Sequence, residues 1–232
     1  KKSFPEISVF KAPTENIFSY PKLFKKIENI FYQKESTTED INKQKYHGQD
    51  LLRNQFKNKS LSIKEYINSL KINLIIRKNN EKKIDRIYQI IQKTNQFNTT
   101  LKRYNKEEIK EFFISEETDV FDLEVSDKYG SSGLTALSII KNDYKSKRSS
   151  ILNFVLSCRI FGRKIEYFFL NYLLNYLSNL GIKSCSVEYI NSDKNHMVKN
   201  FFLDFGFTIN NQNSECILFN SNLQDLKFNN YE

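Results

Sequence analysis

The sequence predicts an α/β domain with a mixed central sheet flanked by helices, preceded by an N-terminal helical extension. Three observations predict it. Ile165, Phe168, Phe169, Tyr172, Leu173, Tyr176, Leu177 and Leu180 recur at helical spacing, an apolar stripe that needs a sheet to face. Phe121, Leu123 and Val125 alternate with Asp122 and Glu124, the period of a half-buried strand. Between a long strand pattern, Ile151 to Arg159, and the long helix stands Gly162, which permits a tight turn.

The elements follow in order. Pro5 to Phe10 alternates like a short strand. Leu23, Phe24, Ile27, Ile30 and Phe31 form one helical face, with Ser19 and Pro21 near its start. Thr37 to Asp40 opens a second helix that runs to about Phe56, and Ser62 with Glu65 fits a capping box for a third. Residues 1–70 thus read as the extension and 71–232 as the main domain. Lys71 to Ile76 is a strand, and Ile84, Ile87, Tyr88 and Ile91 are a helical face. The stretch after it is a loop or helix. The strand at Phe121 turns at Lys128 to Gly133 and returns over Leu134 to Ile140. After the long helix, Gly181 is a natural stop and Ile182 to Ile190 is a strand. Val198, Phe201, Phe202 and Phe205 make a short helix ending at Gly206, and Phe207–Ile209 and Cys216–Phe219 are closing strands.

Composition narrows the function classes. With 232 residues, 39% hydrophobic and 14% aromatic, the chain can bury a core. It has no apolar run long enough to span a bilayer and no signal-peptide pattern at its start. Three cysteines without paired spacing argue for reduced thiols and a cytoplasmic setting. The net charge of +9 invites a nucleic-acid reading. We discount it, because 29 Lys and 27 Asn against 7 Arg and 2 Ala look like drift toward AT-rich codons, and the lysines are spread out. Two histidines and scattered cysteines lack the spacing of a metal site. The chain begins Lys1-Lys2 and reads as a piece of a longer protein.

Chemistry concentrates where Leu156-Ser157-Cys158-Arg159 runs through Gly162-Arg163-Lys164 into the long helix. The first N–H groups of a helix have no internal partner, and the helix dipole adds to them, so an anion is favoured there. Arg159, Arg163 and Lys164 put positive charge at the same place.

The R-x-x-G turn at Arg159–Gly162 and N-x-x-x-x-x-F-F-x-x-F-G-F from Asn195 to Phe207 resemble the GNAT acyltransferase superfamily. That resemblance implies a GNAT-like fold and a turn that cradles the pyrophosphate of coenzyme A or a phosphopantetheine carrier. The chain is still more similar to the FkbH-like family, which joins a haloacid-dehalogenase (HAD) superfamily phosphatase domain to a GNAT-like half. The likeness rests on Lys93-Thr94-Asn95-Gln96-Phe97-Asn98 with Arg103-Tyr104, Ser157-Cys158-Arg159 through Gly162-Arg163, and Lys194-Asn195. It implies that the phosphatase half lies outside this chain: Asp119 and Asp122 lack the D-x-D-x-T/V setting of its nucleophile. It also implies transfer of a small acyl group, glyceryl in the family, to an acyl carrier protein thiol. Arg159, Gly162, Arg163, Lys164 and Asn195 are then the cofactor-binding candidates. The polar run Asn95, Gln96, Asn98 and Arg103 is either a solvated turn or a substrate-binding loop.

Three departures stand out. Lys164 occupies the Gly or Ala position of the superfamily turn, Phe202 replaces a tyrosine that protonates the leaving thiolate, and Ser131-Ser132-Gly133 replaces the family's D-N-G. Cys158 is the sharpest catalytic candidate. Beside Arg159 and a helix start it makes a good nucleophile, whereas its alternation with Leu152, Phe154 and Leu156 fits a small core residue. Glu188 and His196 are candidate bases. The second reading is a GNAT-type N-acyltransferase that uses acyl-coenzyme A on an amino sugar or another amine; the third is a degenerate domain that only docks a partner.

Overall fold

The computed structural model describes residues 19–31, 43–57 and 62–226. The expected strand at Pro5–Phe10 and helix start at Thr37–Asp40 lie outside the described residues. The chain forms two compact units, Lys1–Ile41 and Asn42–Glu232. In the first, the expected helix spans Tyr20–Phe31 (α1), with the Tyr20 and Phe24 rings 6.0 Å apart.

The second unit opens with α2 (Lys43–Lys57), α3 (Ile63–Leu70), β1 (Asn73–Lys78) and α4 (Ile84–Lys93). It continues with β2 (Phe97–Asn98), α5 (Lys106–Ile114), β3 (Thr118–Asp127), β4 (Gly130–Asp143) and β5 (Arg148–Leu156). It ends with α6 (Ile165–Asn179), β6 (Ser184–Ile190), α7 (Phe201–Asp204), β7 (Thr208–Gln212) and β8 (Cys216–Asn222). The sheet runs β1-β3-β4-β5-β6-β8-β7, with β2 on the edge of β5. Among the described residues only β5 and β6 pair in parallel, which requires a crossover, and α6 supplies it.

Two apolar layers clamp the sheet. On one face Phe121, Leu123, Ala136, Phe154 and Leu156 meet Phe169, Leu173 and Leu177 of α6 and Phe201 and Phe202 of α7. On the other, Val120, Leu137, Ile139 and Val155 meet Ile87 and Ile91 of α4 and Ile109 and Phe113 of α5. The buried side of α6 includes Leu170 and Leu174, while Tyr172 and Leu180 of the predicted stripe are exposed. A helix that also packs beside α7 buries a face broader than a single stripe.

The second compact unit begins at Asn42, so it takes in α2 and α3 together with the sheet. Leu70 is fully buried and its carbonyl accepts the Lys128 N–H at 2.9 Å. Ser62 caps α3 as expected, accepting the Glu65 N–H at 3.1 Å. Gly130 lies so close to α2 that a Cβ there would come within 2.2 Å of Gln49 Nε2.

One buried acid on β3 gives the domain a pH dependence. Asp122 is 1% exposed, and Arg77 Nη1 lies 3.6 Å from its carboxylate. Burial raises its pKa from 3.8 to about 6, against the pull of Arg77. A carboxyl that binds its proton more tightly in the folded state stabilises the fold fully below pH 3.8, and that contribution is lost as pH rises to about 6. Asp122→Asn should abolish this loss. Relative to the wild type it should gain on the order of 2–3 kcal/mol between pH 4 and pH 7, read from urea unfolding at the two pH values. A difference that does not change with pH would contradict the assignment.

Candidate functional site

The sequence pattern carries the strand to Arg159, but β5 stops at Leu156. There Ser157 donates its N–H to Thr135 at 2.7 Å, and residues 158–160 wind into a 3-10 turn closed by Ile160 N–H to Ser157 and Phe161 N–H to Cys158. Ile160 plugs into the core, and Cys158 is thereby turned out to solvent. This corrects the alternation that would have placed Cys158 among core residues.

Gly162 has φ +74°, and nothing lies within 4 Å of where its Cβ would be, so the turn is open in front of that backbone. Lys164 sits at the N-cap of α6 with φ 59° and gives no side-chain cap. The left-handed conformation explains why Gly suits this position in the superfamily turn. Lys164 thus offers the first N–H groups of α6 no side-chain acceptor, while the Glu166 N–H meets its own carboxylate. Glu166, in the first turn of the same helix, has its pKa raised by burial, and its Oε2 is buried without a hydrogen-bond partner.

The three cations do not act alike. Lys164 is exposed, and Arg159 is half-buried with its guanidinium 4.6 Å from the Tyr46 ring centre of α2. Arg163 is only 7% exposed and points inward. It donates to the Arg159 carbonyl at 2.8 Å and to Asp127 Oδ2 at 3.4 Å. Burial and then the neighbouring Arg53 lower its pKa, and Asp127 offsets them. Asp127, with a fully buried side chain, also accepts from Arg53 Nε at 2.7 Å and Nη2 at 2.9 Å. Asp50 of α2 accepts from Arg53 Nη1 at 2.9 Å. The sequence-level expectation that Arg163 presents charge at the turn is thus corrected: its guanidinium is drawn into a cluster that fixes α2 to the β3–β4 hairpin. Arg53 does not stand out in the sequence, and Asp127 lies in the Ser126–Gly130 stretch that also resembles the FkbH-like family, with no role attached to it.

Beside the turn, β5 and β6 pair only from Arg148–Ser184 to Ile151–Val187 and then part, giving the expected V-shaped opening. A segment of the chain itself fills it. Phe97 and Asn98 pair with Leu156 and Val155. Thr99 donates its N–H to the Phe154 carbonyl at 3.2 Å, and its Oγ1 accepts the Phe154 N–H at 3.1 Å. Thr100 Oγ1 donates to the Leu152 carbonyl at 3.4 Å. On the β6 side the Thr99 carbonyl accepts the Ile190 N–H at 2.9 Å.

The candidate residues along this segment are held by internal bonds. Asn195 is fully buried; its Nδ2 donates to the Asn98 and Ile190 carbonyls, each at 2.9 Å, and its Oδ1 accepts from Ser192 N–H at 3.0 Å. Asn98, also fully buried, donates to the Thr94 carbonyl and accepts the Leu101 N–H. Arg103 caps the end of α4, donating to the carbonyls of Ile91 and Thr94 and to Asn95 Oδ1. Gln96 is exposed. Glu188 accepts from Lys102 Nζ at 2.8 Å and from the Cys216 thiol at 3.7 Å. That bond raises the Lys102 pKa, and burial followed by Glu188 raises that of Cys216. His196 is exposed on the 3-10 turn His196–Val198. Cys158, Arg159, Gly162 and Lys164 therefore share one turn, whereas no described contact links Cys158 to Glu188 or His196. Among the described residues there is no group of three metal-ligating side chains, and no helix is long and apolar enough to cross a membrane.

Solved structures of the same architecture settle the fold. The E. coli ribosomal-protein-S18-alanine N-acetyltransferase is 12% identical, with a TM-score of 0.52 over 65% of this chain and 94% of that one. This is the GNAT acetyltransferase fold. PaiA N-acetyltransferase from Thermoplasma acidophilum, solved in complex with coenzyme A, is 14% identical at TM-score 0.52 over 65% of this chain and 99% of its own. Ard1 from Thermoplasma volcanium is 15% identical at TM-score 0.50, covering 64% and 97% of the two chains. No protein-family model and no curated protein sequence matches the chain.

Proposed function

We propose that this GNAT-fold domain is an acyltransferase that passes a small acyl group, glyceryl in the FkbH-like resemblance, to the thiol of an acyl carrier protein. The observation that carries the reading is the exposed Cys158 on the open turn that leads into the uncapped start of α6. The thiolate of Cys158 attacks the donor carbonyl, the donor's leaving group departs with the electron pair, and a thioester remains. The carrier thiolate then attacks that thioester and Cys158 leaves as thiolate. Exchange between thioesters is nearly balanced in free energy and needs no strong acid, which suits a core Phe202 that has no proton to give.

The N–H groups of Gly162 to Lys164, with Arg159 and Lys164, would hold the diphosphate or phosphate of coenzyme A or a phosphopantetheine carrier. The open space at Gly162 fits such a group. When bound, coenzyme A would supply the acyl chain as a thioester, whereas a carrier's phosphopantetheine would present the thiol that accepts it. Arg159→Ala should weaken binding of coenzyme A by about 1–3 kcal/mol, measured by calorimetry, through loss of a charge-assisted hydrogen bond. Unchanged affinity would place the diphosphate elsewhere. In this reading the N-terminal extension joins the domain to a HAD-type phosphatase half, and the site works in the cytoplasm.

N-acyl transfer from acyl-coenzyme A to an amine is the second reading, favoured by the N-acetyltransferase neighbours and by the complex of one of them with coenzyme A. In it Glu188 or His196 serves as base. Intact mass spectrometry after incubation with acyl donors, a holo carrier protein and candidate amines separates the two. Acyl mass on the carrier supports the first reading; acyl mass only on an amine overturns it in favour of the second.

A further inference from the structure

Where β5 and β6 part, the exposed edge of β5 would ordinarily offer its N–H and C=O groups to an added strand. A phosphopantetheine arm carries two secondary amides and can pair with such an edge as a short peptide does. Here the carbonyls of Leu152 and Phe154 and the N–H of Phe154 are taken by Thr99 and Thr100. Val155 and Leu156 pair with β2. Resting on the acyl-donor reading above, we propose that Asn98–Thr100, anchored at Phe97, is an internal gate, holding the β5 edge closed until it leaves and a pantetheine-type arm takes its place.

Two features suit a segment that opens. It is short, and beyond β5 it is held at a few points: the Thr99 carbonyl on Ile190 of β6, the Asn98 carbonyl on Asn195 in the loop after β6 and, two residues past its end, the Lys102–Glu188 ion pair. The last is exposed on both sides, the kind of pair that contributes little and breaks readily. The ring of Phe97, within 6.0 Å of the Phe154 and Phe161 rings, marks the end of the segment fixed in the core, about which the rest swings.

The closed state also has an internal cost. Asn153 stands on β5 between Leu152 and Phe154, whose backbone groups the gate occupies. It is fully buried, and neither Oδ1 nor Nδ2 has a hydrogen-bond partner. A buried carboxamide without partners is a cost that the closed arrangement carries. Among the described residues it is the one asparagine with both side-chain atoms orphaned.

Amide hydrogen exchange on the chain, alone and with coenzyme A or pantetheine, tests the gate. The amides of Thr99, Phe154 and Ile190 should exchange at least about tenfold faster than those of Ile139 and Ile140 in mid-β4, through local opening. Thr99→Val, which keeps the side-chain shape and removes the acceptor for Phe154, and Lys102→Ala should each speed that exchange by about three- to tenfold. Apparent affinity for coenzyme A should rise by a matching factor, because a larger share of molecules is open. Exchange of these amides only with global unfolding, or affinity unmoved while their exchange accelerates, overturns the gate alone. Local opening with no binding of either ligand to any of the three proteins overturns the acyl-donor reading and the assignment of the arm together.

Discussion

Asp127→Ala should lower the stability of the sheet domain by about 3–5 kcal/mol, the cost of leaving buried charges without their partner. Asp127 accepts from Arg53 at 2.7 and 2.9 Å, from Arg163 at 3.4 Å and from the Tyr129 N–H at 3.0 Å. Arg53 and Arg163 are 2% and 7% exposed, so neither reaches water without moving. Desolvated guanidinium groups repel each other once the carboxylate is gone, and the easiest escape is for α2 to lift from the hairpin. The urea midpoint should fall, and protease should cut first between α2 and α3. A second variant separates electrostatics from packing: Asp127→Ala combined with Arg53→Met should recover part of the loss. A single variant that loses less than about 1 kcal/mol would mean that the cluster does not hold α2.

Cys158→Ala should reduce acyl transfer to a carrier thiol by more than about a thousandfold while leaving stability unchanged, since the side chain is exposed. The small effect on folding is part of the prediction. A buried cysteine would have cost stability on truncation, whereas one turned out by the 3-10 winding at residues 158–160 makes no core contact to lose. Cys158→Ser separates nucleophilicity from shape, and it should also fail, because an alkoxide is far harder to form than a thiolate. Full activity in either variant would leave direct transfer from donor to carrier.

The sheet and its crossover helix were legible because their signals are periodic. The stripe from Ile165 to Leu177 and the alternation around Leu123 each demand a buried face. Element order together with the glycine turn at Gly162 predicts the V-shaped opening between the strand ending at Arg159 and the strand 182–190. Residues 101–115 were left as loop or helix, although Asn105 and Glu108 form a capping box that opens α5. Its apolar residues, Ile109 and then Phe112 to Ile114, crowd its second half and leave its start without a stripe, so the cap is the stronger signal. The end of β5 was misplaced because alternation continues through Cys158, while the 3-10 turn is set by Ile160 finding the core.

At the candidate site the pattern shows which residues come near the turn but not where they point. Arg159, Arg163 and Lys164 read as one cationic group, yet Arg163 answers to Asp127, 36 residues away in the chain. Asn95, Asn98, Arg103 and Asn195 read as ligand contacts from the motif they form. Their amides and guanidinium close the chain's own turns, because buried backbone carbonyls at Ile91, Thr94, Asn98 and Ile190 need donors. Nothing in a one-dimensional pattern announces that a two-residue strand will enter the sheet between β5 and β6.

The account turns on Cys158 carrying the acyl group. The most direct measurement is peptide-level mass spectrometry of the chain after brief incubation with an activated acyl donor and no carrier. The account predicts an acyl mass on the peptide containing Cys158 that hydroxylamine removes and that disappears when holo carrier protein is added. Acylated carrier formed at full rate with that peptide never modified would contradict it.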